Sequence, residues 1–289
     1  MAVGDTLSTG SSDLRAENIN KAVIGFAMQQ YKFKQVCLVQ SSSSWKETFF
    51  KEGATELTAT GTQGIEGIPR LASFPYLEPT WEEVNARHVK HAGEGVISWE
   101  DARTNEIDVM ARTLLRIGRA IAKSVDDAIY SAWIADSDIN TAAAVANWDD
   151  ATEANQKPIT DILRGIRDVS EDNYDVLENG FLLLSPHDYA QLMLNSKVIN
   201  NPSFKTADVV SNGRVGQIAG LTIIVSNSVP ADEALIIKGQ TASTWKTASP
   251  LKTAVIEDQG IKFTIRGWEI GVTVVTNPKA IHRITNTQV

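Results

Sequence analysis

From Asp101 to Ala135 apolar side chains recur in steps of three or four: Ile107, Met110, Leu114, Ile117, Ile121, Val125 and Ile129. That spacing lines one face of an α-helix. At about 1.5 Å per residue, thirty-odd positions span roughly 50 Å, so the pattern predicts a helix laid across an elongated body. Leu114, Ile117 and Ile121 form the centre of its core-facing row. Ala111, Gly118 and Ala122 add a small-residue stripe beside it, which predicts close packing on a second side. Ser98, three residues before Asp101, reads as part of a capping box that starts the helix.

Elsewhere the period changes. Ala2 to Ser12 is small and polar, and Asp13 then reads as the N-cap of a helix through about Gln30, with Leu14, Ala22, Val23 and Phe26 as its apolar positions. Gln35 to Val39 reads as a short buried strand, and Ser41 to Ser44 as a polar break. Between Trp45 and Trp99 the pattern turns to period two, in Glu56 to Thr60 and Val84 to His91, separated by GTQGIEGIP and FPYLEP. This predicts a long β-hairpin with an irregular tip. From Asn140 to about Val229 come a polar linker, a helix (Ile159 to Val169), the buried strand FLLLS, a helix (Pro186 to Asn195), a polar stretch to Gly213 and the strand LTIIV. Such alternation favours a compact α/β unit with a central sheet. ALIIK, TAVIE, IKFTI and GVTVV follow as strands between Gly and Asp-Gln-Gly turns. No repeat of solenoid or propeller period is present, and the fold class is α+β.

Composition narrows the function more by exclusion than by signature. A chain of 289 residues, 43% hydrophobic and 21% charged, buries one large core or two modest ones. No apolar run reaches the ~18 residues of a membrane span, and the N-terminus has neither the basic start nor the apolar core of a signal peptide, so synthesis and folding in the cytoplasm are expected. Cys37, the single cysteine, sits in an apolar stretch and reads as a buried, inert thiol. The formal net charge of −8, with no basic block, argues against a protein that grips nucleic acid for its living. It fits a wall that encloses nucleic acid without holding it.

The candidate chemistry is thin. His88, His91 and Glu94 have metal-ligand letters, but on a strand residues three apart point to opposite faces. Ser185, His187 and Asp188 spell a hydrolase triad, yet chain neighbours rarely converge and no Gly-x-Ser-x-Gly elbow is present; Ser185 before Pro186 reads instead as a helix cap. Gly61, Gly64 and Gly67 lack the Lys-Ser/Thr pair of a phosphate loop. Asp126 and Asp127 read as a solvated or inter-subunit face, and Asp149 with Asp150 as linker carboxylates. No catalytic, cofactor or metal site is expected, and the chain is read as a non-enzyme.

The order of these elements resembles the major capsid proteins of tailed bacteriophages, the Hong Kong 97 fold that encapsulin shells share. ISWEDARTNEIDVMARTLLRIGRAIAKSVDDAI looks like that family's spine helix with its preceding strand. FKTADVVSNGRVGQIAGLTIIVSNSVP is similar to its glycine-rich approach to an apical strand, and GVTVVTNPKAIHRI to its closing peripheral strand. The resemblance implies an N-terminal arm and helix (1–44), an extended β-hairpin loop (45–98), a peripheral domain with the spine helix (99–139 and 241–289) and an axial domain (140–240). It implies pentamers and hexamers closing an icosahedral head around double-stranded DNA without sequence-specific binding. Portal, scaffolding and decoration proteins follow as partners, and the virion, assembled in host cytoplasm, as the location. The sequence departs from the family in having no long, charged N-terminal extension of the kind that serves some members as a built-in scaffold, which leaves open a separate scaffolding protein or prior removal of such a segment.

Inter-subunit contacts are expected from Ile68, Arg70, Phe74 and Tyr76 near the hairpin tip. Some relatives weld neighbouring subunits through a loop-tip Lys and an Asn, but no Lys lies between Lys51 and Lys90, so a non-covalent shell is expected. The alternatives are an encapsulin-like nanocompartment shell and, from another class, a soluble α/β hydrolytic enzyme.

Overall fold

The computed structural model describes residues 16–28, 31–52, 68–73, 81–104, 109–152, 154–196, 198 and 216–288. Ile107, the expected cap Asp13 with Leu14, the Glu56 to Thr60 stretch, the glycines of the hairpin tip and most of FKTADVVSNGRVGQ lie outside these residues, as does the side chain of Phe26.

Two sheets and one long helix organise the rest. A first helix, α1 (Ala16–Met28), buries Ile19, Val23 and Ala27, one turn apart along a single face. The chain then runs through β1 (Leu38–Ser41), β2 (Lys46–Glu52), β3 (Trp81–Arg87) and β4 (Val89–Ser98) into α2 (Trp99–Thr104). Asp101 N–H donates to Ser98 Oγ at 3.0 Å, an N-cap contact at the start of α2, whereas the expected capping box opens the long helix, which is described from Val109. The spine helix, α3 (Val109–Ala135), follows. Its 27 residues extend about 40 Å. After β5 (Asn140–Ala143) come α4 (Pro158–Glu171), α5 (Val176–Asn179), β6 (Gly180–Leu184), α6 (Pro186–Leu194), β7 (Gln217–Ile218), β8 (Leu221–Val225) and β9 (Glu233–Lys238). The chain closes with β10 (Ser243–Asp258), β11 (Lys262–Val275) and β12 (Ile281–Thr285).

The four-stranded sheet has the order β1-β10-β11-β4, and the six-stranded sheet β5-β12-β9-β6-β8-β7. In the latter, β6 and β9 are central and read as continuous apolar runs: Leu182, Leu183, Leu184, Leu235, Ile236 and Ile237 are wholly buried. Unbroken apolar runs of this kind mark strands covered on both faces. In the four-stranded sheet β10 and β11 form a long hairpin closed by Asp258, Gln259, Gly260 and Ile261. Ile261 N–H donates to Asp258 O at 3.0 Å, and Gly260, at φ +73°, takes the left-handed position that glycine occupies without strain. The register slips twice between Thr247 and Lys252, around Pro250, which has no N–H to give the ladder.

Three segments differ from the sequence reading. Residues 31–37 form a coil whose Phe33, Val36 and Cys37 are buried, and strand β1 begins only at Leu38 with every residue exposed; a plug, rather than a buried strand, occupies Gln35 to Cys37. The hairpin proper pairs β2 with β3 from Lys46↔Arg87 to Glu52↔Trp81, whereas β4 leaves it to pair with β11. The closing stretch divides: β11 stays in the four-stranded sheet, and β12 joins the six-stranded sheet between β5 and β9.

Candidate functional site

The sequence offers surfaces rather than a pocket, so the geometry is built around the spine helix. Leu114, Ile117 and Ile121 are 5%, 3% and 1% exposed, in a buried row that continues through Val125, Ile129 and Trp133. What lets the helix sit so close to the sheet is a glycine platform. Gly93 and Gly267 are cross-strand partners on β4 and β11, with Gly95 one step along the same face. A Cβ on Gly267 would meet Ile121 at 2.9 Å and Ile117 at 3.0 Å, and one on Gly95 would meet Thr113 at 2.4 Å. Bare backbone at these positions receives the isoleucines directly.

Behind the helix a buried polar cluster fastens the 31–37 coil. Asp126 accepts from Lys32 N–H at 2.9 Å and Phe33 N–H at 3.2 Å, and Glu269 accepts from Tyr31 Oη at 2.5 Å and pairs with Lys34. Asp126 is 3% exposed, which corrects the reading of Asp126 and Asp127 as one solvated face: Asp127 is on the surface with Lys123, and Asp126 is a buried acceptor. Burial pushes the Asp126 carboxyl up to about 6 against the pull of the two N–H groups, and it pushes the Tyr31 phenol up as well. Burial also pushes the Cys37 thiol up to about 12, so the thiol is inert at neutral pH. Beside the cluster lies a cavity of about 640 Å³ walled by Ile24, Val39, Pro250 and Leu251.

The base of the hairpin is fastened differently. Lys51, 7% exposed, reaches Asp136 at 2.7 Å and Asp138 at 2.6 Å just past the C-terminal end of α3. Burial opposes its charge, but the two carboxylates outweigh it and hold the ammonium above its ordinary range. A lysine so held is protonated at neutral pH and is no nucleophile. At the other edge, His88 Nε2 lies 3.1 Å from Glu47, which also accepts from Ser42 Oγ; these two contacts, the hydroxyl first, hold the Glu47 carboxyl below its usual range.

The residues with ligand or catalytic letters are engaged separately. His88 faces Glu47, His91 Nδ1 is 2.9 Å from Ser124, and Glu94 pairs with Arg266 at 2.6 Å. Ser185 Oγ donates to Asp188 Oδ2 at 2.6 Å and accepts from Asp188 N–H at 3.1 Å, a cap for α6. His187 is exposed, and Asp188 also accepts from Thr287 and Gln288. These contacts tie the C-terminal segment to α6 and assemble no triad.

Of the expected inter-subunit contacts, Ile68 is half-buried and Arg70 exposed, in a turn where Ala72 N–H donates to Pro69 O at 3.1 Å. Leu71 there is fully exposed at φ +68°. Phe74 and Tyr76 lie outside the described residues. Sequence reasoning did not find Lys51, Asp136, Asp138 or Glu269, because each is defined by a partner far along the chain. Trp45 at 69% exposed and Phe50 at 58% are large apolar groups left in solvent on the two-stranded ribbon.

The fold recurs in solved capsid and virus-like-particle structures. The virus-like particle from Pyrococcus furiosus superposes with a TM-score of 0.64 at 12% identity, covering 93% of this chain and 98% of that one. The capsid of cyanophage P-SCSP1u gives 0.66 at 17% identity, with 90% and 89% covered. The mature capsid of bacteriophage PhiM1 gives 0.63 at 17%, with 90% and 88% covered. Identities this low carry the fold alone. No curated protein sequence matches the chain significantly. The family model described as phage capsid protein matches residues 81–284, a stretch that holds the glycine platform, the spine helix and all of the six-stranded sheet but the last residue of β12, and the chain therefore belongs to the phage capsid protein family.

Proposed function

We propose that this structural, non-enzymatic capsid protein self-assembles through pentamers and hexamers into a closed icosahedral head around double-stranded DNA. Its 1–44 segment acts as the arm, the ribbon of the 45–98 segment as the extended loop, the spine helix with the four-stranded sheet as the peripheral part, and the six-stranded sheet as the axial part. The observation that carries this reading is the ribbon β2-β3. A two-stranded ribbon is marginal on its own in water, and this one carries exposed Trp45 and Phe50, so it calls for cover that a neighbouring subunit supplies. Ile68, Arg70, Phe74 and Tyr76 are the contacts proposed for its far end.

Portal and scaffolding proteins are the proposed partners of such a head, decoration proteins an optional addition, and host cytoplasm is the proposed place of assembly. The subunits are held non-covalently, since the span between Lys51 and Lys90 has no lysine and Lys51 is fixed by two carboxylates. Electron microscopy of the purified protein tests the reading: closed shells that boiling in detergent reduces to one species near 31.5 kDa are expected. A monodisperse monomer under all assembly conditions contradicts the function, and a covalent ladder contradicts the non-covalent lattice.

A further inference from the structure

The face of the spine helix turned away from the glycine platform carries Arg112, Arg116, Arg119 and Lys123, all exposed, at steps of four, three and four. That spacing puts them on one stripe. With Leu115 and Ala120 between them they line a recess of about 490 Å³. Among the described residues Arg112, Arg116 and Arg119 have no carboxylate partner, and Lys123 has only the exposed Asp127. The arrangement works against the helix that bears it. Like charges three and four apart repel, and Arg112 stands in the first turn of the helix as described from Val109, where the dipole favours anions and the described residues include no acid. In a chain of net charge −8, a row of four cations with one carboxylate partner among the described residues is a local reversal of sign that folding does not ask for.

We propose that this stripe binds the phosphate backbone of nucleic acid, and that it forms the polyanion-facing surface of the subunit. From Arg112 to Lys123 the rise is about 16 Å, along which duplex DNA presents roughly ten phosphate charges, so all four side chains find partners without reading sequence. Guanidinium groups offer forked donors suited to phosphate oxygens. A second copy of this chain fits less well. On the described part of its hairpin ribbon the exposed acids are Glu82 and Glu83, and a neighbouring copy covering the stripe is a separate outcome of the test below.

The test has two arms, and only the second rests on the shell reading. In the first, the full-length chain is titrated with a short fluorescent duplex of mixed sequence. Affinity should fall roughly 40- to 150-fold between about 50 and 200 mM salt for three to four phosphate contacts. The triple variant R112A/R116A/R119A should flatten the logarithmic salt slope by about 2 to 3, while the Arg-to-Lys triple and the control R167A keep it. Absence of duplex binding by the native chain, or an unchanged slope in a triple-alanine variant of native circular dichroism, overturns the proposal.

In the second arm, DNA-filled and empty shells are treated with an arginine-selective dicarbonyl and mapped by mass spectrometry. Protection of Arg112, Arg116 and Arg119 in filled shells only is the expected result. Equal protection in both means that another subunit covers the stripe, and equal reactivity in both means that nothing does; either overturns the proposal. Failure to obtain shells at all counts against the capsid assembly reading, and the duplex titration still decides the stripe.

Discussion

The two sheets of this subunit are finished to different degrees. In the six-stranded sheet the central strands are buried on both faces, β5 and β12 close one side, and the polar tips inside it are satisfied locally, as when Trp148 Nε1 donates to Asp161 at 3.0 Å. The region around the four-stranded sheet has one sealed face, the glycine platform under the spine helix. Its other margins are left open: β1 is exposed along its length, Val96, Ile256 and Ile261 stand in solvent, and the β2-β3 ribbon carries Trp45 and Phe50 at 69% and 58% exposure. The central strands of the first region have little left to gain from a neighbour, and its exposed apolar groups, Val145, Leu163, Leu177 and Leu194, lie on its periphery. The second has unsatisfied apolar surface placed where an assembling lattice can cover it.

That contrast can be broken hardest at the sealed face. Ile121→Asp places a carboxylate against Gly93 and Gly267 with no water within reach, and should cost several kcal/mol in denaturant unfolding of the subunit. The same change at exposed Val145 should stay within about 0.5 kcal/mol. Equal tolerance at both positions would show that the spine helix does not rest on the platform.

The next largest effect concerns Asp126 and the arm coil. Its folded value of about 6 lies above the ordinary 3.8, so the folded state holds the proton more tightly than the unfolded chain does. The stabilisation from the neutral form is therefore complete below about pH 4, is lost as pH rises through 6, and is flat above; the swing is on the order of 2 to 3 kcal/mol. Asp126→Asn should remove that slope while an amide oxygen still accepts from the coil. The check is unfolding free energy across this window for both proteins, and an unchanged slope would place the titration elsewhere.

A smaller effect is expected at Lys51. Replacing it by Met strands Asp136 and Asp138, but Asp138 is 40% exposed and can turn to water, so the cost is about 1 to 2 kcal/mol rather than that of a fully buried pair. Faster amide exchange confined to β2 and β3 should accompany it. Loss confined to the six-stranded sheet would show that the lysine does not anchor the ribbon.

What the sequence disclosed follows from how far each signal reaches. The Ile/Leu row of α3, the LLL and ALII runs and the Ser185-Pro186 cap are local patterns, and each lies where its period or its capping chemistry places it. The pairing of Asp126 with the coil at 32–33, of Glu269 with Tyr31 and Lys34, and of Lys51 with Asp136 joins residues 85 to 238 positions apart, and no local period encodes a partner at that distance. Asp126 is such a case: beside Asp127 the sequence alone reads it as a solvated or inter-subunit face, and only the distant coil at 32–33 makes it a buried acceptor. The basic stripe escaped notice because cations at helical spacing form no block in the linear sequence and vanish into a negative total. Strand β4 has the same alternation whether it pairs in the hairpin or in the four-stranded sheet; only its register against β11 separates the two.

Hydrogen exchange of the same protein before and after assembly tests the contrast between the two regions most directly. Shell formation should slow exchange in β1, β2 and β3, the margins left open in the subunit, and leave β6 and β9 as slow as before. Protection that rises in β6 and β9 instead, or no change in the ribbon on assembly, would contradict that contrast.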